Sequence, residues 1–278
     1  MPVLTEHRLR LGTRAVTLFE GPAGWGECSP LAGYPCDPAV CRAAAEEAAR
    51  LGFPAPVRDV VPVNALVDGP FSVTEVRAFP AVKVKVRDAA GISRVAAVRD
   101  AVGPDIGVRV DANGAWDVDT AVMMIGRLAR YDLEYVEQPV ATLDDLARVR
   151  CRVAVPIAAD ECIRTRDDAA RLRALDAADV IVLKQQPLGG VRAALEIAAT
   201  AGVPAVVSSM METSVGIAAG VALAAALPEL PYACGLATLP ALPGDVTHDP
   251  LVPVDGVLRV RPIAPDADLL ARYQDASN

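Results

Sequence analysis

Short apolar runs and helical stretches alternate along the chain from about residue 60 onwards. Eight runs are rich in valine, isoleucine and alanine and have the length of buried strands; they cover residues 61–67, 81–86, 106–113, 133–139, 155–161, 180–185, 203–209 and, with a weaker pattern, 232–238. Helical stretches separate them at 93–102, 117–131, 143–151, 165–175 and 191–201. Because each parallel strand needs a crossover connection, usually a helix, these repeated units predict an α/β fold with a closed, TIM-like (β/α)₈ barrel.

The first 60 residues have a different pattern. Apolar and polar positions alternate loosely over 3–19, a Gly/Pro-rich stretch follows over 21–38, and an Ala/Glu/Arg-rich helix is predicted over 38–51. We therefore predict a small α+β capping domain over 1–60, completed by 245–278, and a barrel domain over 61–244. The run VLRVRPI (257–263) is expected to pair back onto the N-terminal unit. The Gly/Pro-rich stretch carries Trp25 and Tyr34, and its composition fits a surface loop and a lid equally well.

Composition narrows the choice of partners. The 278 residues carry a net charge of −8 and are 53% apolar, which argues against nucleic acid or an anionic membrane as a partner. The longest apolar stretch, 215–227, is too short to span a bilayer and predicts a buried helix, and the N-terminus lacks the apolar region of a signal peptide. Six cysteines without a CxxC pair favour reduced, mostly buried thiols in a cytoplasmic protein.

Charged residues recur near the ends of consecutive predicted strands. Their order along the chain is Lys85, Asp111, Glu137, Asp160 and Lys184, at intervals of 23 to 26 residues. The carboxyl ends of barrel strands form one rim, and active sites are built on that rim. The five side chains are therefore expected to meet in one pocket.

The three carboxylates of this series suit a metal ion. Asp111, Glu137 and Asp160 would present oxygen ligands from three adjacent strands, which favours Mg²⁺, with Mn²⁺ as a substitute. For any one of them, capping of a following helix is the competing interpretation.

Lysines face the same pocket from two sides. Lys83 and Lys85 alternate in AVKVKV and so share one face of their strand, which we place in the barrel interior. Lys184 ends an apolar strand four strands later and would approach from the opposite wall. A like-charged neighbour is expected to lower the pKa of each paired lysine, so that one can act as a base near neutral pH. The competing interpretations are an exposed edge strand for the pair and a snorkelling side chain for Lys184.

Four further residues are predicted to contact substrate. These are Arg109, Asn113, Ser208 and Ser209. The two histidines, His7 and His248, lie away from predicted strand ends, which argues against a histidine base and a Ser-His-Asp hydrolase. The chain has neither a P-loop nor a dinucleotide-binding motif.

Taken together, the motifs resemble the enolase superfamily over nearly the whole chain. They are GWGECSPLAGY (24–34), KVK (83–85), DAN (111–113), EQP (137–139), DE (160–161) and KQQPLGG (184–190). The lysine pair resembles the muconate-lactonizing subgroup. The resemblance implies a capped barrel in which Asp111, Glu137 and Asp160 hold Mg²⁺ and a lysine removes a proton α to a carboxylate.

Within that subgroup, three segments resemble the o-succinylbenzoate synthase family. They are RVDANGAW (109–116), SSMMETSVG (208–216) and GLAT (235–238). This implies dehydration of 2-succinyl-6-hydroxy-2,4-cyclohexadiene-1-carboxylate in menaquinone biosynthesis, with Lys85 as base, Lys184 on the enediolate and Lys83 tuning Lys85. Three alternatives stay open: an N-acylamino acid (for example N-succinylamino acid) racemase, a muconate cycloisomerase, and a barrel that binds a carboxylate without catalysis. The oligomeric state stays open as well.

Overall fold

The computed structural model describes residues 3–275, and its N-terminal part is an antiparallel sheet covered by one helix. The sheet contains β1 (Thr5–Leu11), β2 (Arg14–Gly21) and β3 (Gly24–Cys28), and the helix is α1 (Pro38–Leu51). The helix begins where the sequence predicts, because the Asp37 side chain accepts the Ala39 N–H and Pro38 suits the first helical position.

Close packing joins β3 to α1. A Cβ at Gly26 would lie 1.9 Å from the backbone oxygen of Ala45, so only glycine lets strand and helix approach this closely. Phe19 on β2 is buried with Ala45 and Ala49 of the helix and forms the small core of this unit.

Seven parallel strands form the main sheet. After the short β4 (Val60–Pro62), the sheet runs in chain order through β5 (Ala65–Val67), β6 (Ala81–Lys85), β7 (Gly107–Asp111), β8 (Leu133–Glu137), β9 (Ile157–Ala159), β10 (Val180–Leu183) and β11 (Ala205–Val207). The eighth predicted run is not a regular strand. Instead, Cys234 makes a parallel bridge to Val63 and Gly235 makes one to Ser208, so this segment joins the two ends of the sheet. The barrel fold is thus confirmed, with an irregular eighth position.

Helices connect these strands, and most match their predicted ranges. They are α2 (Val73–Arg77), α3 (Ala90–Val102), α4 (Val118–Leu128), α5 (Leu143–Arg150), α6 (Arg166–Leu175), α7 (Val191–Ala201), α8 (Ser214–Ala226) and α9 (Ala267–Tyr273). Side chains of Asp117, Thr142 and Thr165 cap three of them. Helix α8 is the apolar 215–227 stretch, and it is buried almost throughout. Across residues 3–275, none of the helices combines the length and apolar character that crossing a bilayer requires.

The C-terminal segment differs in part from expectation. Strand β12 (Val257–Arg259) pairs antiparallel with β4 rather than with the N-terminal sheet, because Leu258 and its partner Val61 are both fully buried there. Helix α9 lies against β1, and Gln274 bridges to Leu9. The domain limits at residues 60 and 244 stay a prediction.

The six cysteines are free thiols, as expected. The expectation that most are buried is wrong, because only Cys41 and Cys234 are buried. Cys151 is exposed, and the others are partly accessible.

Candidate active site

The strand ends bring the predicted residues together. Lys85 on β6 is paired in register with Asp111 on β7, and Asp111 with Glu137 on β8. Asp160 directly follows β9 and Lys184 directly follows β10. Five consecutive strands therefore deliver these groups to one edge of the barrel, the edge where barrel enzymes place their chemistry.

A cavity of about 120 Å³ opens at this edge. Seven of the predicted residues line it: Lys83, Lys85, Asp111, Asn113, Lys184, Ser208 and Ser209. Further lining comes from Leu31, Tyr34, Asn64, Leu66, Glu161, Met211, Gly235, Ala237 and Thr238. A larger groove between β1 and α9 contains none of the lysines, so the smaller cavity is the one that the predicted catalytic lysines line.

The lysines of this cavity are also the only lysines in the chain. The other 24 basic residues, from a total of 27 Lys and Arg, are arginines. Arginine stays protonated in proteins, whereas a lysine can gain and lose a proton. The chain therefore uses lysine solely where Lys83, Lys85 and Lys184 meet.

Each lysine contacts a buried carboxylate. The Lys85 Nζ lies 2.6 Å from Asp111 Oδ2, and the Lys83 Nζ lies 2.9 Å from Glu137 Oε1 and 3.3 Å from Asp111 Oδ2. Lys184 forms an ion pair with Asp160. The three carboxylates are each about 1% exposed, so these contacts compensate charges that water cannot reach.

Burial and mutual charge shift the pKa values here. Burial, and then the charge of Asp111, raise the pKa of Glu137 to about 8. Burial alone would lower the pKa of Lys83, but Glu137 and Asp111 outweigh it and the pKa is raised. The same balance, with Asp160 as the dominant partner, raises the pKa of Lys184. The expectation of a lowered pKa within the lysine pair is therefore wrong for Lys83, because carboxylates lie closer to it than the expectation assumed.

The carboxylates have the donor chemistry of a divalent-cation site. Oxygens of Asp111 and Glu137 already lie within 3.3 Å of one positive centre, the Lys83 Nζ, and hard oxygen donors suit Mg²⁺. Between residues 3 and 275, however, no group of three acidic, histidine or cysteine side chains is arranged to hold a metal. The carboxylate oxygens instead form ion pairs with the ammonium groups of the three lysines.

Asn113 and the two serines belong to the cavity wall. Asn113 accepts a hydrogen bond of 2.9 Å from the Lys85 Nζ and donates one of 3.1 Å to Glu161. Ser209 lies beside Thr238, and its hydroxyl accepts the Met211 N–H at 3.0 Å. Ser208 lines the same wall. All three are placed where a substrate could reach them.

Arg109 lies elsewhere. Its side chain is fully buried and does not line the cavity. The guanidinium donates to Glu134, to the Tyr135 hydroxyl at 3.0 Å and to the Ala233 oxygen at 2.6 Å. A position two residues before Asp111 shares its face but lies about 7 Å deeper along the strand. Arg109 thus links residues of the barrel interior, and this buried geometry does not favour the predicted substrate contact, which stays a prediction.

The sequence did not assign a role to Tyr34, which lies on the loop between β3 and α1. Its hydroxyl donates a hydrogen bond of 2.9 Å to Asp160 Oδ1, and its ring centroid lies 4.2 Å from the Lys184 Nζ. The loop therefore reaches the cavity, which favours the lid interpretation over that of a surface loop. The sequence signals for it were an aromatic residue in a chain with 4% aromatics and its place at the end of the motif GWGECSPLAGY (24–34).

A buried polar network joins the N-terminal sheet to the barrel beside the site. Glu27 accepts hydrogen bonds from the Ser29 hydroxyl at 2.6 Å, from the Thr213 hydroxyl at 2.5 Å and from the Gly216 N–H at 2.9 Å. The last two donors belong to the start of α8, where a carboxylate is favoured. Burial, and then the charge of Glu212, raise the pKa of Glu27 to about 7.

Comparison with known proteins defines the class. Residues 72–266 match the enolase C-terminal domain-like family and residues 5–49 the enolase N-terminal domain-like family. Muconate lactonizing enzyme from Pseudomonas putida has the same fold, with a TM-score of 0.86 at 21% identity over 98% of this chain and 99% of that one. Dipeptide epimerase from Enterococcus faecalis V583 gives a TM-score of 0.73 at 24% identity over 93% and 95%. The chain belongs to the enolase superfamily, in its muconate-lactonizing subgroup.

Sequence relatives narrow the assignment further. The chain is 58% identical to the o-succinylbenzoate synthase of Thermobifida fusca (strain YX), over 99% of this chain and 90% of that protein. It is 49% identical to the o-succinylbenzoate synthase of Mycolicibacterium smegmatis, over 93% and 83% respectively. Within the superfamily its family is that of the o-succinylbenzoate synthases, which confirms the resemblance inferred from the motifs.

Proposed function

We propose that this protein is a carbon–oxygen lyase that dehydrates 2-succinyl-6-hydroxy-2,4-cyclohexadiene-1-carboxylate to o-succinylbenzoate in menaquinone biosynthesis. The observation that carries the proposal is the placement of Lys85 and Lys184, from strands β6 and β10, in one cavity beside buried carboxylates. The 58% identity to an o-succinylbenzoate synthase supports the choice of substrate.

Lys85 is the base in this proposal. It stands at the carboxyl end of β6 with its side chain 16% exposed, so its Nζ can meet a substrate in the cavity. The α-proton passes to the Nζ, and the resulting ammonium returns a proton to the departing hydroxide, which leaves as water. Lys83 shares Asp111 with Lys85 and so tunes its charge environment. Lys184 approaches from β10 and stabilises the enediolate, by cation–π contact with the substrate ring.

Asp111, Glu137 and Asp160 are the residues we propose to hold Mg²⁺, with Mn²⁺ as a substitute. When bound, the cation supplies positive charge that stabilises the enediolate. Their burial at adjacent strand ends and the crowding that raises the pKa of Glu137 both favour a shared cation. Asn113, Ser208 and Ser209 then contact the substrate from the cavity wall.

An N-acylamino acid racemase is the second candidate function. Two lysines carried by separate strands of one barrel can serve opposite faces of an α-carbon, one removing a proton and the other returning it. The other two alternatives are less well supported. The solved muconate enzymes share only 21–23% identity with this chain, and the full lysine and carboxylate set argues against a purely binding role.

The three lysines of the cavity favour a small carboxylate as the partner, and the acidic composition of the chain argues against nucleic acid or an anionic membrane surface. The free thiols favour action in the cytoplasm.

Turnover of the purified protein with the cyclohexadiene substrate and Mg²⁺ tests the proposal, beside a racemisation assay on an N-succinylamino acid. Mg²⁺-dependent dehydration supports the synthase assignment. Racemisation without dehydration keeps the lysine roles and overturns the substrate. If the protein shows neither dehydration nor racemisation, the proposed function is overturned.

A further inference from the structure

Tyr34, on the loop of the N-terminal unit, contacts both Asp160 and Lys184 of the proposed site. Its hydroxyl donates to Asp160 Oδ1 at 2.9 Å, while Lys184 pairs with the other oxygen of the same carboxylate. The Lys184 Nζ also lies over the Tyr34 ring, 4.2 Å from its centroid. The three side chains therefore form a closed triangle in which each contacts the other two.

The loop that carries Tyr34 is anchored on both sides of this triangle. On one side, the Ser29 N–H donates to Gln186 Oε1 at 2.7 Å, two residues after Lys184. On the other, the Arg164 guanidinium donates to the Pro35 oxygen at 3.1 Å, four residues after Asp160. The loop thus crosses the ends of β9 and β10, and Tyr34 is delivered to both strands by bonds that do not involve its own side chain.

This arrangement limits where the Lys184 ammonium can lie. A lysine side chain has four rotatable bonds, so its Nζ has no fixed position unless its surroundings impose one. An aromatic face attracts an ammonium most strongly where water is excluded, and here the lysine side chain is 9% exposed. The Tyr34 ring covers one side of the Lys184 Nζ. The Tyr34 hydroxyl binds the Asp160 carboxylate, which attracts the same ammonium group from another side.

We propose that Tyr34 is a positioning residue for Lys184. Its ring fixes the ammonium at the cavity wall and its hydroxyl fixes Asp160, so the N-terminal unit acts on the chemistry by placing the lysine rather than by binding substrate. The kinetic part of this inference rests on the proposed function, in which Lys184 stabilises the enediolate.

Two substitutions separate the two contacts. Tyr34→Phe keeps the ring and loses the hydroxyl, whereas Tyr34→Leu loses both. If Lys184 acts only in the transition state, misplacing it lowers kcat and leaves KM nearly constant. We expect kcat to fall about threefold in Tyr34→Phe and about thirtyfold in Tyr34→Leu, with KM within about twofold of the original. Tyr131→Phe, in the turn before β8 and outside the cavity lining, serves as the control and leaves both constants unchanged.

A second readout needs no turnover. Because the chain has only three lysines, acetic anhydride at fixed pH finds only three side-chain amines, and peptide mass spectrometry distinguishes each of them from acetylated hydroxyl and thiol groups. We expect Lys184 to be acetylated about tenfold faster, relative to Lys85, in Tyr34→Leu, and less than about threefold faster in Tyr34→Phe. If the original protein has no dehydratase activity, the proposed function fails, yet this comparison still decides the role of Tyr34.

Three results would overturn the proposal. An unchanged Lys184 acetylation rate in Tyr34→Leu means that the ring does not hold the lysine. A raised KM with unchanged kcat means that Tyr34 binds substrate instead. A higher kcat/KM in Tyr34→Leu means that the ring competes with substrate for the ammonium.

Discussion

The backbone nitrogen of Ser29 donates a hydrogen bond of 2.7 Å to Oε1 of Gln186, two residues beyond Lys184. Both residues are fully buried, and the Gln186 amide also donates to Glu212 at 3.2 Å. The N-terminal unit is therefore attached to the barrel two residues beyond Lys184, a proposed catalytic lysine. Changes in that attachment are expected to reach the active site as well as the fold.

Glu27 gives this attachment a pH dependence. Its pKa is about 7 in the folded state against an ordinary value of 4.5, so the folded state binds more protons than the unfolded state between those values. Glu27 therefore makes its full contribution to the free energy of unfolding below pH 4.5. This contribution is lost as the pH rises through 7, by about 3 kcal/mol. Glu27→Gln cannot ionise, and we expect its free energy of unfolding to improve relative to the original protein as pH rises from 5 to 8.

Urea unfolding of both proteins across this range measures the difference. A difference that stays constant with pH would mean that Glu27 keeps an ordinary pKa in the folded protein.

The glycine of the β3–α1 contact provides a packing test. In Gly26→Ala the new Cβ must displace the Ala45 backbone, and we expect a loss of about 3 kcal/mol with a looser N-terminal unit. Gly126→Ala is the matched control, since a Cβ there meets nothing within 4 Å on helix α4. It should gain up to about 1 kcal/mol from helix propensity. If thermal unfolding shows equal stability for the two variants, Gly26 of β3 does not lie as close to the Ala45 backbone of α1 as described.

Arg109 is expected to be structural. Arg109→Met leaves the Tyr135 hydroxyl, the Ala233 oxygen and Glu134 without their donor, and removing one partner of such a buried set costs about 3–5 kcal/mol. At a temperature where the variant is folded, KM should match the original. A KM raised more than about tenfold, with unfolding unchanged, would restore the substrate-binding role predicted for this residue.

These contrasts show what the sequence could and could not establish. The strands, helices and rim residues were predictable because hydrophobic periodicity and strand-end spacing are local signals. The burial of Arg109 below the cavity was not predictable, because positions two apart on a strand share a face and the sequence pattern does not show how far each lies from the strand end. Nor was the Lys83 environment, because the pairing of lysines with carboxylates depends on distances between strands. Tyr34 depends on how a loop without a regular pattern crosses two strand ends.

The proposed cation site predicts a metal-dependent gain in stability. Mg²⁺ at a hundredfold excess over its dissociation constant should stabilise the protein by about 2.7 kcal/mol, and Glu137→Gln should abolish this shift. Glu134→Gln is the control on the same strand, because Glu134 pairs with Arg109 whereas Glu137 pairs with Lys83. A thermal shift that survives in Glu137→Gln would place the cation elsewhere.

The central claim is that Lys85 transfers a proton, and Lys85→Arg tests it most directly. Arginine keeps the positive charge beside Asp111 but cannot give up a proton near neutral pH. We predict that Lys85→Arg loses dehydration by about 10²–10⁴-fold, as Lys85→Ala does, with its thermal unfolding close to that of the original protein. Dehydration within about threefold of the original rate in Lys85→Arg would mean that position 85 supplies charge alone, and the account of Lys85 as the base would be contradicted.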